Sequence, residues 1–351
     1  MVILNYLCIL KNLFKKKMAE INIGSEEWLN LVKEEIVEPD RPIIDPHHHL
    51  WNDRGSTYLV EDLKSDTGSG HNIVKTVFME CGWAYKQDGP KHLKVVGETE
   101  AVVEQVKESK KTGGAFIAGI VSRADLTLGE EVIEVLEAHQ NASEGLFRGI
   151  RHAGARAEQP EVLSIPGRAP EGLFQDTNFL TGLKVLAKND FTYDTWHYHY
   201  QNSEFAEMVR KVPDTQIILD HFGTPLGVGP YADKREEIFI QWKEDIKEIS
   251  KSENVYIKIG GMAMPDNGFG WNTREKPANS DEFVEAQRRY YLHAIECFGP
   301  ERCMMESNFP VDRMSLSYHV LYNGLKKIVS DFSEDEKHQM FYGTTEKVYR
   351  V

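Results

Sequence analysis

Residues 43–51 read IIDPHHHLW, an apolar run that leads through an Asp-Pro step into three consecutive histidines. Side chains in a β-strand alternate between two faces, so a strand here places Asp45, His47 and His49 on one side and His48 on the other. Two imidazoles two residues apart can then bind one ion or one substrate. A histidine-rich surface turn is the alternative, and the rest of the chain has to decide between them.

Short apolar runs of the same kind recur along the remainder of the chain, between longer segments of helical period. Eight runs begin near residues 42, 73, 114, 146, 191, 216, 255 and 303. Eight strands, each followed by a helix, are typical of a (β/α)8 TIM-like barrel. The sequence therefore predicts the α/β class, one barrel domain over residues 41–351, and a C-terminal helical tail that begins near Leu316.

A doubly wound parallel sheet is the competing fold. The phosphate-binding patterns GxGxxG and GxxxxGK[ST] are absent from the strand-to-helix junctions, and no Ser/Gly-rich linker divides the series. Both observations favour the barrel. Two stretches of loop composition, residues 153–178 and 262–272, follow the fourth and seventh runs, and we expect them to overhang the barrel mouth.

The 351-residue chain has the composition of a globular enzyme, with 41% hydrophobic and 27% charged residues. Its formal net charge of -14 opposes nonspecific binding to nucleic acid and to anionic membranes. The four cysteines include no CxxC pair, so neither a zinc ribbon nor a dithiol redox site is indicated. These features favour a reducing, cytoplasmic setting and a small-molecule substrate, and a homo-oligomer stays open.

Residues 1–40 are predicted to be an N-terminal extension. Its first 17 residues, MVILNYLCILKNLFKKK, place an apolar run before a basic cluster, which reverses the order of a secretory signal peptide. The run is also too short to span a bilayer. We expect a disordered or adventitious segment, with Met18 as a candidate natural start and a peripheral membrane anchor as the alternative.

Polar side chains follow the ends of the apolar runs repeatedly, where a (β/α)8 enzyme carries its functional groups. A single histidine at a strand end is usually a hydrogen-bonded structural group, but several strand ends that converge on one mouth favour a functional site. The residues in these positions are His47, His49, Glu80, Arg123, Arg151, His152, Asp194, His197, His199, Asp220, His221, Glu306, Asn308 and Asp312.

These segments resemble the amidohydrolase-related (amidohydrolase 2) family of TIM-barrel hydrolases, and in particular its lactonase branch. DPHHHLW is similar to the family's DxHxH opening, and the likeness continues through GIRH (149–152), FTYD (191–194), ILDHFGTP (218–225) and ESNFPVD (306–312). The resemblance implies hydrolysis of an ester-like ring bond, in a sugar lactone or a carboxylated lactone, by activated water at the barrel mouth.

For metal-using relatives, the resemblance implies a divalent ion held here by His47, His49 and His221, with His197 or His199 open as a further ligand. Imidazole ligands suit zinc first, although other divalent metals and metal-free operation both stay open. The chain departs from the family at SNFP, where relatives commonly have SDWP, so that Asn308 replaces a carboxylate. An amide cannot act as a base, but it can hold a carbonyl or orient water.

The predicted catalytic residues are accordingly His47, His49, His221, Asn308, Asp312 and Glu80. The predicted substrate-binding residues are Arg151, Arg123, Asp194, His199 and Trp196. Among them Arg151 is the expected partner of an acidic lactone, because guanidinium pairs bidentately with carboxylate. Ordinary salt bridging within the barrel is the alternative for each carboxylate.

Two other functions remain open. A nonoxidative decarboxylase of the same superfamily would use a similar site to stabilise carbanionic charge. A barrel that has lost its base would act only as a binding protein. Hydrolysis of lactones separates the first hypothesis from both alternatives, and release of carbon dioxide selects the decarboxylase.

Overall fold

A computed structural model describes residues 22–351, and the predicted disorder of residues 1–17 lies outside the described residues. Eight strands form one parallel sheet in chain order, and each begins within two residues of a predicted run. They are β1 Pro42–His48, β2 Asn72–Met79, β3 Phe116–Ser122, β4 Phe147–Arg151, β5 Thr192–Thr195, β6 Ile217–Leu219, β7 Val255–Ile259 and β8 Cys303–Met305.

The sheet closes between the end of β1 and the segment that follows β8. An isolated parallel bridge joins His48 to Phe309. The backbone N–H of His49 donates to the carbonyl oxygen of Phe309 at 2.8 Å, and that of Asn308 donates to the carbonyl oxygen of His47 at 3.0 Å. Closure therefore brings the triple histidine beside the SNFP segment, and the predicted (β/α)8 barrel is confirmed.

A helix follows every strand. After the short α1 Glu26–Leu29, the barrel helices are α2 Val60–Thr67, α3 Val96–Thr112, α4 Val132–Ala142, α5 Thr177–Lys188, α6 Asn202–Lys211, α7 Arg235–Ile249, α8 Ser280–Phe298 and α9 Tyr318–Ile328. Local chemistry sets their starts, as at α8, where Asn279 and Glu282 form a reciprocal capping box. Since α9 is the eighth barrel helix, the C-terminal tail itself comprises only α10 Glu334–His338, a π-helical turn Gln339–Gly343, and α11 Thr344–Tyr349.

Strand residues alternate between a helix-facing core and the inside of the barrel. In β6, Ile217 and Leu219 belong to the large core under the helices, whereas Ile218 belongs to a separate inner cluster with Tyr256 and Met304. Val348 and Tyr349 of α11 join that inner cluster. The C-terminal helix therefore fills the end of the barrel opposite the mouth.

The part of the N-terminal extension that the structure describes lies against α9. The side chain of Asn323 accepts the Val37 N–H at 2.8 Å, and the Lys326 ammonium donates to the carbonyl oxygens of Val37 and Glu38 at 3.0 and 2.8 Å. Within residues 22–351, no helix has the length and apolar character needed to cross a membrane.

Candidate active site

A cavity of about 660 Å³, called the main cavity below, opens at the C-terminal ends of the strands. Six of the predicted site residues line it: His49, Glu80, Arg151, Trp196, His221 and Asn308. Both predicted mouth loops also reach it, through Ile165 and Arg168 in residues 153–178 and through Met264 in residues 262–272. The loops thus add walls to the open end of the barrel.

His47 and His49 meet through their Nε2 atoms, which lie 3.2 Å apart. His49 reaches the main cavity, whereas His47 is completely buried just beneath it. His48 points to the helix side, where its ring packs against Phe78. Asp45 does not join the histidines: the strand register shifts between Asp45 and His48, and the carboxylate instead accepts hydrogen bonds from Ser307 and Tyr318.

Glu306 links the two histidine-bearing strand ends. Its Oε1 lies 2.7 Å from Nδ1 of His221, and its Oε2 lies 3.0 Å from Nδ1 of His47. Burial opposes ionisation of Glu306, but the two histidines outweigh burial and lower its pKa to about 2. Burial likewise opposes protonation of His221, yet the Glu306 carboxylate raises the pKa of that ring. A carboxylate thus fixes the orientation of His221, whose other nitrogen is left for the main cavity.

Two glycines after β7 make room for this pair. A Cβ on Gly261 would lie 2.1 Å from Nδ1 of His221, and a Cβ on Gly260 would lie 2.4 Å from Cγ of Glu306. The backbone is also strained here, since His221 and Asn308 have φ angles of 54° and 55° without being glycine. Such strain costs on the order of 1–3 kcal/mol per residue and clusters at functional sites.

A buried lysine lies below the histidines. The Lys258 ammonium is 2.8 Å from Oδ2 of Asp194, 3.1 Å from Oδ1 of Asp220 and 3.3 Å from Nδ1 of His47. Tyr349 of α11 completes the group by donating its hydroxyl proton to Asp194. Burial would lower the pKa of Lys258, but Asp194 and Asp220 raise it, so the side chain is a fixed cation. We call Asp194, Asp220, Lys258 and Tyr349 the floor.

Sequence reasoning missed Lys258 because one lysine inside the run VYIKIGG resembles a solvent-facing strand position. Alternation carried the missing signal, since Lys258 shares its strand face with Tyr256 rather than with Ile257 and Ile259. Glu306 was among the predicted strand-end residues, but no role was predicted for it.

Arg151 is engaged by protein groups. Its Nε donates to Oε1 of Glu80 at 2.9 Å, and a second N–H donates to the Glu80 carbonyl oxygen. The remaining Nη1 lies 3.7 Å from Oδ2 of Asp220 and 3.5 Å from Nε2 of His47. Glu80 and Asp220 thus already neutralise the guanidinium, although its edge still lines the main cavity.

Asn308 stands at the cavity wall with Asp312 behind it. The Asn308 amide donates to Oδ1 of Asp312 at 2.8 Å, and the Ala263 N–H donates to Oδ2 at 3.0 Å. Burial raises the pKa of Asp312 to about 7. Asp312 is completely buried, so it can act on a ligand only through Asn308.

Three predicted substrate-binding residues do not line the main cavity. Asp194 is sealed in the floor. Arg123 turns away and donates to the carbonyl oxygen of Arg151 at 3.4 Å. His199 accepts the Leu226 N–H at 3.3 Å and packs against Tyr231. The further candidate His197 is also structural, with its ring hydrogen-bonded to Asn202 at 2.9 Å and packed on Phe205.

The predicted metal ligands are only partly brought together. In the described part of the chain, the triple whose ligand atoms all lie within 4.8 Å of one another is His47, Asp220 and His221, so Asp220 takes the place expected for His49. His49 nevertheless faces His47 directly.

The chemistry of these donors fits a divalent cation. Burial, reinforced by Lys258 at His47 and by Arg151 at His49, holds the pKa of both rings well below the ordinary value, so both are neutral. Nδ1 of His49 faces the Met79 carbonyl oxygen, and Nδ1 of His47 faces the Glu306 carboxylate, with the Lys258 ammonium 3.3 Å from the same nitrogen. Two Nε2 lone pairs therefore converge at 3.2 Å, close to the ~3.3 Å between two nitrogen ligands of tetrahedral zinc. The Lys258 and Arg151 cations oppose such an ion.

The amidohydrolase family model matches residues 44–351, which is nearly the whole barrel. The chain belongs to the amidohydrolase family. Among curated relatives, the uncharacterized protein y4mH of Sinorhizobium fredii is 31% identical over 342 residues, covering 89% of this chain and 99% of that protein. The L-fucono-1,5-lactonase of Burkholderia multivorans is 20% identical over 309 residues, covering 88% and 96%.

Solved structures share the barrel. An amidohydrolase from Burkholderia multivorans with bound zinc has a TM-score of 0.68 at 19% identity, over 88% of this chain and 99% of that one. The 5-carboxyvanillate decarboxylase of Novosphingobium aromaticivorans, complexed with manganese, has a TM-score of 0.54 at 10% identity, over 90% and 97%. At these identities the likeness shows the fold, and it leaves a hydrolase and a decarboxylase both open.

Proposed function

We propose that this amidohydrolase is a lactone hydrolase. The observation that carries the proposal is the Glu306–His221 pair, hydrogen-bonded at 2.7 Å, whose imidazole lines the main cavity. A carboxylate that orients an imidazole is the arrangement that activates water or another nucleophile. The L-fucono-1,5-lactonase relative supports a cyclic ester as the substrate.

The reaction follows from the positions of these groups. Nδ1 of His221 faces Glu306, so Nε2 is free to accept a proton from water as the water oxygen attacks the ring carbonyl carbon. Glu306 stabilises the imidazolium that forms. The second amide proton of Asn308 and the exposed edge of Arg151 can donate to the carbonyl oxygen as it gains charge. The ring C–O bond then breaks, and His221 returns its proton to the alkoxide, which leaves a hydroxy acid.

A divalent ion would alter the role of His221. His47, Asp220 and His221 would hold it, with His49 beside them, and zinc is the metal that imidazole ligands favour. Such an ion polarises a carbonyl and lowers the pKa of water when bound. In its absence, Lys258 and Arg151 supply the fixed positive charge around His47.

The test is a screen of sugar lactones and carboxylated lactones, with ring opening followed by acid release. Metal-stripped and zinc-supplemented protein are assayed side by side, and the bound metal is measured by elemental analysis. Turnover by stripped protein supports His221 as the base, whereas turnover only with zinc assigns His221 to the metal. Carbon dioxide release from aromatic acids, without lactone hydrolysis, would replace the proposal by a decarboxylase. Binding without any turnover would leave a binding barrel.

A further inference from the structure

A second cavity of about 500 Å³, called the side cavity below, adjoins the main cavity. Trp51, Ser164, Ile165 and Val311 line both cavities, so the two share a wall. A ligand whose reacting group lies at His221 can therefore extend into the side cavity without leaving the protein surface.

Exposed apolar side chains are concentrated at the side cavity. Ile23, Ile165 and Met314, which are 37%, 39% and 40% exposed, all line it. Across residues 22–351 the other large hydrophobic side chains with such exposure are Leu31 and Ile240, and neither lines it. Apolar surface gathered in one concave place on a protein is typical of a binding site.

Two charged side chains, Arg313 and Asp62, lie on the wall of the side cavity, and Arg313 is already paired. Arg313 contacts both carboxylate oxygens of Asp66, at 2.7 and 2.6 Å, and also Glu26. The Asp62 carboxylate accepts the N–H of Leu59 at 2.8 Å. The one arginine on this wall is therefore neutralised and Asp62 repels anions, so the exposed apolar side chains favour a neutral, apolar ligand group.

The loop that divides the two cavities is held in place. Both oxygens of Asp266 accept backbone N–H groups of this loop, from Ser164 at 2.6 Å and from Ile165 at 3.0 Å. The Ile165 side chain is thus presented at a fixed position between the cavities, as a residue that selects among substrates must be.

We propose that the side cavity is a subsite for an apolar substituent of the substrate, and that the lactone carries an alkyl or similar neutral chain. This inference rests on the proposed function, because it places the lactone ring in the main cavity. It predicts selectivity for alkyl-substituted lactones over unsubstituted sugar lactones.

The experiment uses δ-lactones with alkyl chains from methyl to heptyl on the ring carbon beside the ring oxygen. Burial of each added methylene should raise kcat/KM by about two- to fourfold until the cavity is filled. Ile165→Ser and Met314→Ser should flatten this rise, and the slope of kcat/KM against chain length is compared between each variant and the wild type. The matched control is Ile240→Ser, which replaces an apolar residue that is 56% exposed on α7 and should keep the wild-type rise.

A parallel binding series separates this inference from the proposed function. Lactams with the same chains are titrated by calorimetry, because an amide bond is intrinsically far less reactive toward water than an ester bond. If lactam affinity rises with chain length but no lactone is hydrolysed, the subsite stands and the hydrolase proposal fails. A flat response in hydrolysis and binding overturns the subsite. The subsite is also overturned if Ile165→Ser or Met314→Ser changes the oligomeric mass but not the chain-length response. That result would assign the surface to a contact between copies of this chain.

Discussion

The mouth and the floor of the barrel use charged groups in opposite ways. At the mouth, His49, Arg151, His221 and Asn308 line the main cavity. In the floor, Lys258 contacts both Asp194 and Asp220, and all three side chains are completely buried. A group at the mouth can change partners when a ligand arrives, whereas a buried ion pair is costly to separate. The difference assigns proton transfer to the mouth and orientation of His47 to the floor, and Asp220 of the floor is also a candidate metal ligand.

The largest effect should come from the mouth. Replacing His221 by Ala removes the proposed base and should lower kcat by about 10²- to 10⁴-fold, the usual contribution of a general base. The midpoint of thermal unfolding should change little by comparison. The control is His199→Ala, which replaces a histidine outside the main cavity. Equal losses of turnover and stability in His221→Ala would make His221 a structural residue.

A substitution in the floor should lower the stability of the fold more than a substitution at the mouth does. Lys258→Met leaves Asp194 and Asp220 buried without their cation, which should cost about 3–5 kcal/mol of unfolding free energy. Urea unfolding measures the loss. The double variant Lys258→Met/Asp194→Asn should recover part of it, because one of the two unpaired charges is removed. A loss below about 1 kcal/mol would show that the floor is not a tightly coupled charge group.

Two arginines at the main cavity, Arg151 and Arg168, differ in whether they are already paired with a carboxylate. Arg151 is already paired with Glu80, so Arg151→Met should lower kcat/KM for neutral and acidic lactones alike. Arg168 is exposed at the same cavity and forms no ion pair with any residue that the structure describes. Arg168→Met should therefore lower kcat/KM for acidic lactones alone, by about three- to tenfold. A selective effect at Arg151 instead would restore it as the carboxylate-binding residue.

The smallest effect concerns metal affinity at Asn308. Asn308→Asp adds a carboxylate at the cavity wall, but Asp312 lies 2.8 Å away and would share a proton with it. Zinc affinity should rise by less than about tenfold. Asn308→Asp/Asp312→Asn should raise it further, because the new carboxylate then ionises fully. Titration with zinc under identical metal supply compares the two, and unchanged affinity in both would show that residue 308 does not act on the histidine cluster.

Local pattern accounts for what could be predicted. Strand and helix periods are properties of short segments, so the eight apolar runs, the intervening helices and the position of polar groups at strand ends could be predicted from neighbouring residues alone. The triple histidine ends β1 for the same reason. Loop composition likewise indicated the two stretches that reach the main cavity.

The features of the site that could not be predicted depend on contacts between residues far apart in the chain. Glu306 became the partner of His47 and His221 because closure of the barrel sets β8 beside β1. Asp45 left the histidine face because the strand register shifts after it, and strict alternation cannot foresee an irregularity of that kind.

The sequence by itself determined the barrel, the triple histidine at the end of its first strand and the position of Asn308 at the barrel mouth. Only the tertiary structure decided that Lys258 lies inside, that Tyr349 reaches Asp194 from the C-terminal helix, and that Arg151 is paired with Glu80. The physical reason is that the energy of a buried charge depends on which opposite charges surround it. Those partners come from distant strands and are fixed only when the sheet closes.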